Sequence, residues 1–331
     1  MNSSLAWYNE VITFRFEGGS GTMKFMVIGA GGTGGCIGGY LARQGEDVTF
    51  IARGRHLEAM KSGGLMVKSA RVGDFTVSPV KACTMADYKK IEETPDIVFV
   101  CVKYYSLDEA ADFLKTVVGE DTMVIPILNV YGTGSKLQPG LQCTVTDGCV
   151  YIFSMIEAPG VIVQPTPIFR LFFGLRDGSE AGKERLAEVE ERLNRAGIEA
   201  HFTEDIARDA LQKFSFVSSM GAAGLYYDGV ASDFMEPGEK REMFFNLVRE
   251  VGAVGAAMGL HFDVDLVENA GNILAGLTPD ATTSMQRDVA GGGLSEVDGL
   301  IHEMARLGEA YHVDVPNYRR ISAWAKAKGI R

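Results

Sequence analysis

Residues 23–53 read MKFMVIGAGGTGGCIGGYLARQGEDVTFIAR, and this stretch decides the fold. Phe25, Met26, Val27 and Ile28 form a run without a polar residue, the pattern of a strand covered on both faces. Gly29-Ala30-Gly31-Gly32-Thr33-Gly34 follows at once and leads into a helical segment. This is the spacing Gly-x-Gly-x-x-Gly between a strand and a helix. Gly29 allows the tight turn, Gly31 lets a pyrophosphate approach the backbone, and Gly34 allows close helix–strand packing. Gly32 belongs to the same turn. The helix N-terminus offers free N–H groups and partial positive charge to the phosphates. A lone motif of this kind is weak evidence. Here the strand before it and a second strand, Val48 to Ile51, about 20 residues on, give the full context. Gly35, Gly38 and Gly39 fall inside the helix, where each costs about 1 kcal/mol against alanine. Such a helix implies a neighbour too close for a Cβ.

The end of the second strand carries the next clue. A strand that serves NAD usually ends in Asp or Glu, which binds the ribose 2′-hydroxyl. This one ends Ile51-Ala52-Arg53-Gly54-Arg55-His56. Guanidinium forks suit a 2′-phosphate, so Arg53 and Arg55 point to NADP(H). The competing reading is a solvated basic turn.

Bulk properties narrow the class. The chain has 331 residues, enough for two domains. A net charge of -11 argues against a broad basic surface for nucleic acid. No apolar run is long enough to span a bilayer, and the N-terminus lacks the basic and apolar pattern of a secretory signal. The five cysteines, Cys36, Cys83, Cys101, Cys143 and Cys149, show no C-x-x-C spacing. A disulfide frame or metal site is not expected, which fits a cytoplasmic protein with reduced thiols.

Residues 1–22 fit nothing that follows and read as an N-terminal extension. Met23 is a candidate start, while the apolar VITFRF segment keeps an N-terminal strand or arm open. Residues 23–203 alternate apolar strands with helices, as in a parallel sheet covered on both faces. Ser106 and Glu109 have the spacing of a capping box at one of those helices. Residues 204–331 are nearly all helical, with candidates at about 205–220, 237–258, 264–276, 282–290, 295–311 and 316–328, and Thr203 as a cap. The expected fold is α/β: a Rossmann-type dinucleotide-binding domain followed by an all-helical domain that carries substrate and catalytic groups.

In a doubly wound sheet, ligands bind outside the carboxyl ends of the strands. Lys103 follows the apolar run DIVFVCV, and Asn129 ends TMVIPILN. Lys213 sits among apolar neighbours in DALQKFSFVSSMGAAG, at the start of the helical part. Ser284, Asp288, Glu296 and Asp298 lie in TTSMQRDVAGGGLSEVDG. Each has a plainer reading. Lys213 could snorkel, and Ser295 with Asp298 has capping-box spacing.

Taken together, these stretches resemble the ketopantoate reductase (2-dehydropantoate 2-reductase) family from Met23 almost to the C-terminus. The resemblance implies NADPH-dependent reduction of a 2-oxo acid to a 2-hydroxy acid, with ketopantoate to pantoate as the leading named reaction. It implies Lys213 as general acid, Glu296 as its active-site partner, and Ser284 as a contact to the substrate carboxylate. Asn129 would lie between cofactor and substrate, with Lys103 beside them. The chemistry agrees in kind, because a lysine in a partly apolar site has a lowered pKa and can give a proton near neutral pH. The implied partner is a small 2-oxo acid, and a homodimer is left open. Two other readings remain: a related D-2-hydroxyacid dehydrogenase with a branched or aromatic substrate, and a binding protein that senses NADP(H).

The departures also inform. The family pattern places Asn one and two helical turns after the lysine, where this chain has Val217 and Gly221. After Asn129 it has Val130-Tyr131 instead of glycine and a large apolar residue. Those changes predict a relaxed choice of substrate.

Overall fold

The computed structural model describes residues 23–331; the expected extension 1–22 and its VITFRF segment lie outside them. The first part alternates strands and helices. It runs β1 (Lys24–Ile28), α1 (Gly32–Arg43), β2 (Asp47–Ile51), α2 (Gly54–Gly63), β3 (Leu65–Ser69), β4 (Phe75–Val77) and β5 (Lys81–Cys83). Next come α3 (Met85–Tyr88), β6 (Ile97–Val100), α4 (Leu107–Leu114), β7 (Met123–Pro126), α5 (Thr133–Leu137) and β8 (Thr144–Val145). β9 (Asp147–Ile152), β10 (Met155–Ala158), β11 (Val161–Gln164), β12 (Phe169–Gly174), α6 (Lys183–Ala196) and β13 (Glu199–Phe202) complete it.

Six strands form a parallel sheet in the order β5-β2-β1-β6-β7-β8. The chain order reverses between β1 and β6, which makes the crevice above them the ligand-binding edge. Both β6 and β7 are buried along their whole length, as their unbroken apolar sequences require. Two smaller sheets, β10-β11-β3-β4 and β13-β12-β9, flank this layer.

The glycines of α1 answer the expectation of close packing. A Cβ on Gly35 would overlap Ile162, and one on Gly38 would overlap the Phe50 ring. A Cβ on Gly39 would lie 3.1 Å from Val67. The helix therefore lies against β2, β3 and β11 at a distance that only glycine allows.

The second part is helical: α7 (Ile206–Tyr227), α8 (Ala231–Met235), α9 (Glu239–Ala257), α10 (Leu266–Ala275), α11 (Ser284–Ala290), α12 (Glu303–Ala310) and α13 (Pro316–Ala327). Phe214, Phe234, Phe244 and Tyr318 are fully buried in its core around α7 and α9. A π-type turn, Asp298–His302, precedes α12.

Three expected caps form differently. Ser106 makes no side-chain cap to α4, because a short 3₁₀ turn before it gives Ser106 a ψ of 10°, outside the extended geometry of an N-cap. Thr203 accepts from the Asp205 N–H instead of capping α7, whose N-cap residue is Asp205. Ser295 donates to the Arg331 carbonyl, while Asp298 is paired with Arg306. The π-type turn replaces the regular first turn that a capping box at Ser295 needs.

Candidate active site

The dinucleotide turn is shaped as the spacing requires. Gly29 has φ +94°, and a Cβ there would meet the Cys101 carbonyl oxygen at 2.8 Å. A Cβ on Gly34 would overlap the Gly29 carbonyl oxygen. Gly31 is different: it is the N-cap of α1, makes no side-chain cap, and a Cβ there would meet nothing within 4 Å. The first turn of α1 carries no acidic residue. The backbone donors of this helix end thus face outward at a residue without a side chain, a fit for a pyrophosphate. Gly32 does not share that openness, since a Cβ there would lie 2.5 Å from the Ser154 carbonyl oxygen.

Arg53 and Arg55 are exposed at the carboxyl end of β2, and Arg53 is also the N-cap residue of α2. The Arg53 guanidinium lies 3.7 Å from Glu109, with both side chains largely exposed. An exposed pair of that length is weak, so both arginines are free to meet a phosphate.

The chemical groups converge at the sheet edge. Lys213 projects from α7, is only 7% exposed, and donates from Nζ to Asn129 Oδ1 at 2.6 Å. Burial lowers the Lys213 pKa, and Cys149 and Glu296 pull it partly back. After β6, on the same sheet edge, Lys103 Nζ donates to Asp288 Oδ2 at 3.0 Å and to Glu296 Oε2 at 3.2 Å. The Tyr104 N–H donates to Glu296 Oε1 at 3.2 Å. Burial works to lower the Lys103 pKa, but Glu296 and Asp288 outweigh it and leave it raised.

One expectation changes here. Glu296 was expected beside Lys213 as its partner. Its hydrogen bonds go instead to Lys103 and the Tyr104 N–H, and Lys213 is held by Asn129. Glu296 acts on Lys213 through space alone. The cause is packing after Glu296. Gly299, in the π-type turn, presses so closely on the loops after β6 and β7 that a Cβ would overlap Val130 and lie 2.9 Å from Tyr104. That contact lays Glu296 against the Lys103-Tyr104 backbone.

Ser284 is the first residue of α11, where Thr283 serves as the cap by accepting from the Gln286 N–H. Ser284 is half-buried and lies one turn before Asp288, the partner of Lys103.

Three contributors were not legible from motifs. The Tyr104 contact is a backbone group and leaves no side-chain signature. Cys149, on β9, carries a thiol that burial pushes up to about 12 and that lies close enough to Lys213 for each to affect the other's charge. Met285 covers Gly221. The small residues Gly221 and Gly299 were the available signals of those close approaches.

A glycine turn at the switch point of a parallel sheet, with a buried lysine from the helical second part bonded at the same sheet edge, is the arrangement of a dinucleotide-dependent oxidoreductase. The comparisons with known proteins sharpen this. The ketopantoate reductase PanE/ApbA model matches residues 25–178, and its C-terminal counterpart matches residues 205–329. The chain belongs to the ketopantoate reductase family, whose members are NAD(P)H-dependent oxidoreductases. The 2-dehydropantoate 2-reductase of Pyrococcus horikoshii is 28% identical over 306 residues, covering 92% of this chain and 97% of its own. The crystal structure of 2-dehydropantoate 2-reductase from Methylococcus capsulatus superposes with a TM-score of 0.83 at 24% identity, covering 93% of this chain and 97% of that one. D-mandelate dehydrogenase, in a ternary structure with NADH and anilino(oxo)acetate, has a TM-score of 0.80 at 19% identity and covers 92% and 98%. Among the described residues, no helix is long and apolar enough to cross a membrane.

Proposed function

We propose that the protein reduces a 2-oxo acid to the 2-hydroxy acid with NADPH, and that 2-dehydropantoate is the leading substrate to test. The observation that carries this reading is the buried Lys213, held by Asn129 at the carboxyl edge of β7, the same edge of the parallel sheet at which the glycine turn follows β1. The names of the relatives support the substrate.

NADPH, when bound, supplies the hydride for the carbonyl carbon. The chain does the rest. Gly31 and the α1 N-terminus would hold the pyrophosphate, and Arg53 and Arg55 the 2′-phosphate. Asn129 Oδ1 fixes the Lys213 ammonium through one 2.6 Å hydrogen bond. Among the described residues the ammonium has no other hydrogen-bond partner, which leaves two N–H groups for the substrate oxygen. As the carbonyl oxygen gains negative charge, the ammonium stabilises it and passes it a proton. Burial makes this transfer easier by lowering the lysine pKa. Glu296 and Asp288 hold Lys103 in place from the helical side, and Ser284 offers a hydroxyl to the substrate carboxylate.

NADPH oxidation across a panel of 2-oxo acids, 2-dehydropantoate included, tests the reading. Turnover of at least one acid is expected. Turnover with none, by a folded protein that binds NADPH, would leave the redox-sensing reading in its place. Faster turnover with NADH would assign Arg53 and Arg55 to solvent.

A further inference from the structure

We infer that Asp147 and Cys149 are positioning residues of the reaction, and that through them β9 sets the contact between Lys213 and Asn129. The inference rests on the reductase reading, in which that contact aims the ammonium. The 2.6 Å bond joins groups from two separate elements. Asn129 lies on the loop between β7 and α5, and Lys213 lies on α7. A contact between two such carriers is held steady when one rigid element touches both. β9 does so with three consecutive residues, Asp147, Gly148 and Cys149.

Asp147 takes the loop. Its Oδ1 accepts from the Gly134 N–H at 2.7 Å, in the first turn of α5. A Cβ on Gly134 would overlap the Thr146 carbonyl oxygen, so no side chain separates α5 from the strand there. Gly148 comes next. A Cβ on it would lie 2.7 Å from Ile127 and 2.9 Å from the Pro126 carbonyl oxygen, so β9 also lies against the end of β7. The loop that carries Asn129 is thereby held at both ends. Cys149 takes the helix. It is 2% exposed, and its thiol donates to the Asp209 carbonyl at 3.9 Å. Asp209 is four residues before Lys213, and in an α-helix that carbonyl is the one that accepts the Lys213 N–H. The thiol therefore rests on the turn from which Lys213 projects. Side chains alternate along a strand, which puts Asp147 and Cys149 on one face of β9.

The strand itself is backed. β9 pairs with β12 from Asp147 to Ile152, and β13, on the far side of β12, leads into α7. The chemistry of both residues suits placing rather than proton transfer. Burial pushes the Cys149 thiol up to about 12, so it stays neutral beside the ammonium, and a thiol is only a weak donor. The Asp147 carboxylate is turned to the Gly134 N–H.

The test measures the single-turnover rate of NADPH oxidation with the 2-oxo acid that the wild type reduces fastest, and NADPH affinity by titration. Cys149→Ala and Asp147→Ala should each slow that step about tenfold, as expected when a reacting group is displaced by a fraction of an ångström. NADPH affinity and KM should hardly change, because the loss falls on the transition state. Cys149→Ser keeps a donor and Asp147→Asn keeps an acceptor, so both should recover most of the rate. In a Lys213→Ala background the two alanine substitutions should add almost nothing, because they act through that lysine. Wild-type rates in both alanine variants, undiminished slowing in the Lys213→Ala background, or NADPH affinity lost in step with rate would each overturn the inference and leave the reductase reading intact. Should Asp147→Ala not fold, the Cys149 variants decide the matter alone. A wild type that reduces no acid would overturn the reductase reading, and the inference with it.

Discussion

The dinucleotide turn and the proton-transfer cluster are built in opposite ways. The turn uses residues 29 to 34, consecutive in the chain, and Gly29, Gly32 and Gly34 each have a local steric reason. The cluster joins residues far apart: Lys213 and Asn129 are separated by 84 positions, Lys103 and Asp288 by 185, and Lys103 and Glu296 by 193. A contiguous site leaves its signature in spacing. A dispersed one leaves only residue types at element ends, and its pairing is decided by how the helical part sits on the sheet. That is why spacing alone marks residues 29–34 as one turn, while nothing in the sequence shows that Glu296 hydrogen-bonds Lys103 and the Tyr104 N–H.

The largest effect should come from the dispersed half. Lys213→Ala should lower kcat by about 10² to 10⁴, the usual worth of a positioned acid. NADPH affinity should hardly change, because the lysine belongs to the helical part. The wild-type pH profile sharpens the same point. The acid must be protonated, so activity falls as pH rises through the Lys213 pKa. Burial lowers that pKa, so the alkaline limb of kcat/KM should lie below the ordinary lysine value of 10.5. A variant with near wild-type turnover, or a limb at or above that value, would remove Lys213 from the role.

A stability measurement breaks the comparison from the other side. Gly38→Val puts a branched side chain into the Phe50 ring, in a helix that also packs closely on Ile162 and Val67. Overpacking of this kind costs typically about 1–3 kcal/mol. Denaturant unfolding of the variant should show that loss, while Gly31→Ala, which faces open space, should lose only the smaller preference for glycine at a helix N-cap and weaken cofactor binding. Equal stability losses at both positions would mean that the turn is a packing device only.

Much of the fold was legible because parallel strands are covered on both faces, and β6 and β7 therefore show unbroken apolar runs. Of the helices expected in the second part, those at 237–258, 264–276, 282–290 and 316–328 match α9, α10, α11 and α13, while α7 runs on to Tyr227 and α8 was not expected. What stayed hidden has physical reasons. A backbone donor such as the Tyr104 N–H has no sequence signature. The π-type turn at 298–302 gives no pattern distinct from an α-helix, so Ser295 and Asp298 looked like a cap. Ser106 looked like one too, and lost the role to the 3₁₀ turn ahead of it.

The next effect belongs to the contiguous half. Arg53→Ala with Arg55→Ala should weaken NADPH binding by about tenfold more than NADH binding, a difference of about 1.4 kcal/mol. The arginines are exposed, and exposed pairing is screened. The difference should therefore shrink as salt rises. Titration of both cofactors at two ionic strengths checks this. Equal losses for NADPH and NADH would show that the arginines do not read the 2′-phosphate.

The smallest effect should come from Asp288, and it separates the two carboxylates that share Lys103. The Asp288 side chain is 33% exposed and that of Lys103 38%, whereas that of Glu296 is 3% exposed. The Lys103–Asp288 pair is thus partly solvated, and pairs of this kind contribute about 0.2–1 kcal/mol. Glu296 is buried and accepts from both the Lys103 ammonium and the Tyr104 N–H. Loss of its charge leaves two donors facing a neutral group in a dry site, which costs more than a solvated pair does. Asp288→Asn should therefore lower kcat/KM by less than about tenfold, and Glu296→Gln should lower it further. The Asp288→Asn effect should fade at high salt and the Glu296→Gln effect should persist, because screening reaches the exposed pair first. If Asp288→Asn proved the more damaging of the two, the exposed carboxylate would be the one that meets the substrate, and Glu296 would serve only to fasten the helical part to the sheet.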